Sequence, residues 1–210
     1  KANGAYFDYE YSNQFEKSIN FRDHVLEQSD TVPVKINIRL LGYLSDKTRS
    51  LSIKSKAVEE YELAEVIIPE VTFVGKEYQK EIEVFVKRPE IEDSVFAVCL
   101  YIDDKGDISS TIDGKNEFTI YVTESYEQPE VWNSTVNKYI GAWSKEAHEF
   151  LVKFTNDNSY YNKFYKNSNG DLQYDVNTLI AMNQQLVNTF LKEEPTEPIA
   201  VGVPILKADE

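Results

Sequence analysis

The 210-residue chain carries 22 lysines and arginines against 36 aspartates and glutamates, a formal net charge of −14, with 41% apolar and 28% charged residues. That balance is that of a folded, soluble chain long enough to bury a sizeable core, and it excludes the clustered basic footprint that nucleic-acid binding needs. A single cysteine, Cys99, excludes an internal disulfide and a cysteine zinc cluster.

No run approaches the roughly 18 apolar residues of a membrane-spanning helix. The chain starts at Lys1 without a methionine, and is read as a trimmed form whose targeting segment lies upstream.

In chain order, "AYFDYEYS" places Phe7, Tyr9 and Tyr11 on one parity. The strongest pattern follows in "TVPVKINIRLLG", where Val32, Val34, Ile36, Ile38 and Leu40 alternate with Lys35, Asn37 and Arg39. Period two with one apolar face predicts an antiparallel strand covering a core on one side. Similar runs recur at "RSLSIKS", "VIIPEVTFV", "EIEVFVKR", "VFAVCLYI", which holds Cys99, and "EFTIYVTE". Gly42, Pro69, Gly75, Pro89, Gly106 and Gly114 punctuate them. Seven or eight short strands separated by turn signals predict a β-sandwich over roughly residues 5 to 125.

From Trp132 the alternation gives way to helical spacing. Ala147, Phe150, Leu151 and Phe154 fall at i, i+3, i+4 and i+7, with Ser144 placed as N-cap. A second stripe of Val176, Leu179, Ile180, Leu186, Val187 and Phe190 begins after Asp175, another N-cap, and ends before the prolines of "EEPTEPIAVGVP". Between the two lies "SYYNKFYKNSNGD" from Ser159. Tyr161, Phe164 and Tyr165 have the spacing of one buried helical face, and Gly170 suits a left-handed turn behind it. The functional alternative is a sugar platform, with Trp132, Tyr160, Tyr161 or Tyr165 stacking on a ring and Asn162 and Asn167 bonding hydroxyls.

Catalytic chemistry finds little footing. The two histidines are His24, read as a loop residue without a partner nearby in sequence, and His148, read as a helix-surface or boundary residue. Neither phosphate-binding glycine loop is present, and among 36 acids a close carboxylate pair carries no information. "NSNGD" from Asn167 lacks the carboxylates a calcium loop needs at its ends. Asp103, Asp104 and Asp107 offer hard oxygens around Gly106, a weak metal candidate against the reading of an acidic hairpin turn. "NST" at Asn133 is read as a polar loop after Trp132. The chain is therefore expected to be non-enzymatic, with no cofactor.

Several segments in this order resemble a family of predicted lipoproteins of Bacteroides and its relatives. They are "AYFDYEYSNQFEKSINF", "TVPVKINIRLLGYLSDKTRSLSIKSKAV", "EIEVFVKRP" and, most specific, "FTIYVTESYEQPEVWNSTVNKYIGAWSKEAHEFLVKFT". The resemblance implies an immunoglobulin-like or Calx-beta-like sandwich and a lipid anchor upstream of the segment. It also implies genes often beside SusC- and SusD-type glycan-import genes, and no established biochemical function. The family often has a glycine between the alanine and tyrosine of the loop that "AVEEYEL" occupies from Ala57, and this chain has none.

The expected fold class is α+β: an antiparallel, immunoglobulin-like β-sandwich over 1–125, a two-helix segment over 126–194 and an extended tail over 195–210. The expected role is an accessory binding protein of an envelope nutrient-import system, lipid-anchored at the outer membrane, with polysaccharide or import components as partners and no nucleic acid. The alternative is a structural or protein-interaction module.

Overall fold

The structure is a computed structural model that describes residues 4–8, 15–27, 29–108, 110–112, 114–164, 168–170 and 173–192. The chain forms two compact units, one of Lys1–Arg22 with Ser29–Ser125 and one of Asp23–Gln28 with Tyr126–Glu210.

In the first unit alternating sequence becomes paired strand. Among the described residues it holds β1 (Gly4–Phe7), β2 (Glu16–Asn20), β3 (Thr31–Leu41), β4 (Arg49–Lys56), β5 (Glu62–Leu63), β6 (Val66–Ile67) and β7 (Val71–Phe73). They are followed by β8 (Gln79–Lys87), β9 (Val95–Asp103), β10 (Ser110–Thr111) and β11 (Glu117–Thr123). One sheet runs β10-β1-β3-β8-β6, the other β2-β11-β9-β4-β7, with β5 beside β9. The result is the expected sandwich, followed by helices.

Register explains the core. The β3–β8 ladder sets Val32 opposite Val86, Val34 opposite Val84 and Ile36 opposite Ile82. The β9–β11 ladder sets Phe96 opposite Val122, Val98 opposite Ile120 and Leu100 opposite Phe118. All twelve are buried, and each large aliphatic or aromatic side chain so buried stabilises by about 1.5–3 kcal/mol. Cys99 is buried on the other face of β9, where desolvation pushes its thiol pKa up.

Three strands carry no sequence signal. β2, β5 and β10 pair in parallel with β11, β9 and β1 respectively. The run "VIIPEVTFV", expected as one strand, divides around Pro69 into β6 on one sheet and β7 on the other, because proline cannot donate to a continuous ladder. Tyr9 and Tyr11 lie outside the described residues.

The second unit contains a π-helical turn at Trp132–Val136, α1 (Asn137–Ile140), α2 (Lys145–Thr155), a 3₁₀ turn at Tyr160–Phe164 and α3 (Val176–Lys192). Ser144 caps α2, its Oγ accepting from the Ala147 amide at 3.0 Å, and Asp175 caps α3 by accepting from the Thr178 amide at 2.8 Å. Gly170 takes φ +87°, the left-handed conformation expected of it. The "NST" triplet lies within the π-helical turn rather than in a loop. Among the described residues no helix is long and apolar enough to cross a membrane.

Candidate functional site

The aromatic residues singled out in the sequence are mostly core. Trp132 is fully buried, its indole N–H donating to the Gly141 carbonyl at 2.8 Å and its ring edge-on to Trp143, with centroids 4.7 Å apart. Tyr160 is also fully buried. Neither ring can present a face to a sugar, which corrects the platform reading for both. The buried pair of the 3₁₀ turn is Tyr160 and Phe164, one turn apart, in place of the Tyr161-led face expected. Tyr161 is half-buried and its hydroxyl donates to Asp23 at 3.3 Å. Tyr165 and Asn167 lie outside the described residues, while Asn162 is exposed.

His148 is wholly buried, not at a surface or boundary. It lies 3.3 Å from the Tyr160 hydroxyl and packs beside Trp143 and Tyr160, at centroid distances of 5.1 and 5.6 Å. The sequence reading went astray because α2 turns this polar ring towards the aromatic cluster. His24 does have a local partner, Glu27 Oε1 at 3.2 Å.

The acidic hairpin is a brace. Asp107 accepts from both the Ser50 amide and hydroxyl at 2.8 Å, bonds that lower its pKa. Asp103 accepts from Ser52 Oγ at 3.4 Å, and Asp104 is exposed. The three carboxylates are not gathered around one point: among the described residues no group of three acidic, histidine or cysteine side chains could hold a metal ion.

A cavity forms within the sandwich. Ala64 donates its amide to Ala97 of β9 at 3.0 Å, whereas Glu65 accepts from the Lys87 amide of β8 at 2.9 Å. Residues 62–67 therefore strap one sheet to the other. Between this strap and the β8–β9 loop opens a cleft of about 480 Å³, lined by residues 62–65 and 87–91 with Phe96 and Val122, a volume within the ordinary range for ligand pockets.

Its cations are already engaged. Lys87 pairs with Glu65 at 2.5 Å, and Arg88 pairs with the buried Glu124 at 2.5 Å while its guanidinium sits 4.8 Å from the Phe21 ring centre. The lips carry aliphatic side chains open to water, Leu63 at 53% and Ile91 at 52% exposure. Both loops hold a non-glycine residue in the left-handed region, Glu60 at φ +70° and Asp93 at φ +60°. Sequence reasoning missed this site because its parts come from "EYELAE" and "KRPEI", which carry no catalytic or aromatic motif. The available signal was the run of glutamates in "EEYELAE".

The profile of the family described as Domain of unknown function (DUF4843) matches residues 2–157, and the chain belongs to that family. No curated protein matches it. Among solved structures it is similar to the apo form of the Calx CBD1 domain, at 7% identity and TM-score 0.41, covering 59% of this chain and 98% of that one. It is also similar to a candidate carbohydrate binding protein from Bacteroides ovatus, at 15% and 0.39, covering 58% and 37%. A two domain protein with unknown function from Bacteroides fragilis matches at 11% and 0.37, covering 61% and 51%. Likenesses this distant carry no argument about function.

Proposed function

We propose that this member of the family is a non-catalytic binding protein of the cell envelope, accessory to a nutrient-import system, and that its sandwich engages another protein at the cleft. The observation that carries the reading is the cleft of about 480 Å³ with Leu63 and Ile91 exposed at its lips. Covering such side chains removes apolar surface from water, the main favourable term in association. Lys87 and Arg88 are tied to Glu65 and Glu124, so they shape the cleft wall and are not poised for acid–base work. The envelope setting, a lipid anchor upstream of Lys1 and the link to glycan import come from the sequence resemblance and are parts of the proposal.

The test is a photo-crosslinking side chain at position 91, compared with one at Tyr43, in intact cells of the source organism. A discrete adduct with an envelope protein from position 91 and none from position 43 is expected. Adducts from position 43 alone would overturn the docking site.

A second reading is favoured by the other end of the sandwich. There Tyr43 and Tyr78 are 68% and 53% exposed, on loops linked by the Lys76–Asp46 pair at 3.8 Å. Two open phenol rings on adjoining loops suit a sugar face. A glycan array that gives a hit abolished by Tyr43→Ala and Tyr78→Ala would establish it, and an array without hits would remove it.

A further inference from the structure

We infer that the occupant of the cleft is a protein segment in which lysine or arginine residues flank an apolar side chain. This rests on the reading that the cleft docks a protein and names the chemistry of that partner.

The two loops that form the mouth are acidic in alternation with apolar residues. One reads "EEYELAE", with Glu59, Glu60, Glu62 and Glu65 around Tyr61 and Leu63; the other reads "EIED", with Glu90, Glu92 and Asp93 beside Ile91. All seven carboxylate residues are exposed. The cleft wall supplies two cations, Lys87 and Arg88, and both already face carboxylates of the fold, Glu65 and Glu124. The mouth thus brings Glu62 and Glu90 to the edge of a mixed cleft whose apolar lining is Leu63, Ala64, Pro89, Ile91, Phe96 and Val122.

That combination selects among occupants. A purely apolar segment would take the exposed Glu62 and Glu90 carboxylates at the cleft out of water with nothing in exchange, which is unfavourable. An acidic peptide, an anionic polysaccharide or an anionic lipid surface would meet like charge at both lips. A neutral glycan would bring no cation to Glu62 or Glu90 and would set hydroxyls, not apolar groups, against Leu63 and Ile91. A basic segment with an apolar residue between its cations satisfies both features, its cations meeting the rim and its apolar side chain entering between Leu63 and Ile91. The acidic rim would also steer such a partner during encounter and make association salt-dependent.

The test uses the full chain and two fluorescent peptides of equal length, one alternating lysine with valine and one alternating glutamate with valine, followed by anisotropy at low and high salt. The lysine peptide is expected to bind, more weakly at high salt, and the glutamate peptide not to bind. Glu62→Lys with Glu90→Lys should weaken binding by about tenfold or more. Leu63→Ser with Ile91→Ser should do so without a change of charge. Asp46→Lys with Asp104→Lys, at the other end of the sandwich, should leave binding unchanged. All these positions are exposed, and an unaltered melting temperature verifies each variant.

No binding of the lysine peptide would overturn the inference. So would equal binding to the Glu62/Glu90 variant, the mark of diffuse attraction to a chain of net charge −14, or equal binding to the Leu63/Ile91 variant. Crosslinking separates the two levels of the argument. A protein adduct from position 91 whose attached segment lacks lysine and arginine ends this inference and leaves the docking reading standing. Absence of any adduct from position 91 removes the docking reading itself.

Discussion

The two units solve the problem of making a core with different side chains. The sandwich buries mainly valine, isoleucine and leucine on ladders of matched residues, and the strap of residues 62–67 leaves a cleft at one end. The helical unit buries aliphatic residues such as Ile140, Leu151 and Leu179 and adds a share of rings: Trp132, Tyr160 and Phe164 are buried, with Trp143, Tyr139 and Tyr174 packed against them. Each such ring buries about 150–250 Å², so a few of them supply much of the apolar area of this smaller core. Dense aromatics here mark a closed core, while the open surface lies in the unit whose sequence looks plainer.

Substitutions can break that contrast in order of effect. Trp132→Ala removes a fully buried indole and its hydrogen bond to Gly141. It should destabilise by about 3–5 kcal/mol, read by denaturant melts, whereas a ligand platform would lose binding and keep stability. Arg88→Ala removes the guanidinium that pairs with the buried Glu124 and should cost about 2 kcal/mol, with partner binding reduced because the β8–β9 loop loses this side-chain tie and keeps its backbone ties to Asp30 and Glu124. Ser144→Ala should cost about 1 kcal/mol through loss of the α2 cap. Glu60→Gly should stabilise by about 1 kcal/mol, since glycine adopts φ +70° without the strain of a β-carbon.

Acid sharpens the contrast for the helical unit. The hydrogen bond from Lys163 holds the Asp157 pKa below its ordinary 3.8, and the Thr178 amide does the same for Asp175. A carboxylate with a lowered folded-state pKa contributes stability that is complete above the unfolded value and lost as pH falls through the folded one. Acid unfolding followed by tryptophan fluorescence should therefore set in below about pH 4, and Asp157→Asn should flatten that dependence.

The long strands were legible because a one-sided core imposes period two: Val32 to Ile38 lie buried as their spacing required. The caps at Ser144 and Asp175 were legible because a short oxygen before a helical stripe has one local use. β2, β5 and β10 were not, since two to five residues in parallel edge pairing carry no periodic mark. The cleft depends on a register at which residues 62–65 meet 87–91, a contact remote in sequence. Tyr160 and His148 misled because the tightness of the 3₁₀ turn and the rotation of α2, which settle their burial, are fixed by packing and not by spacing.

The most direct measurement of the central claim is partner retention by three forms of the chain: wild type, Leu63→Ser with Ile91→Ser, and Tyr161→Ala. The partner is the protein recovered by crosslinking from position 91, titrated against each form. The account predicts that the Leu63/Ile91 variant loses binding with its melting temperature unchanged, while Tyr161→Ala binds as wild type does. Full binding by the Leu63/Ile91 variant together with loss in Tyr161→Ala would contradict it.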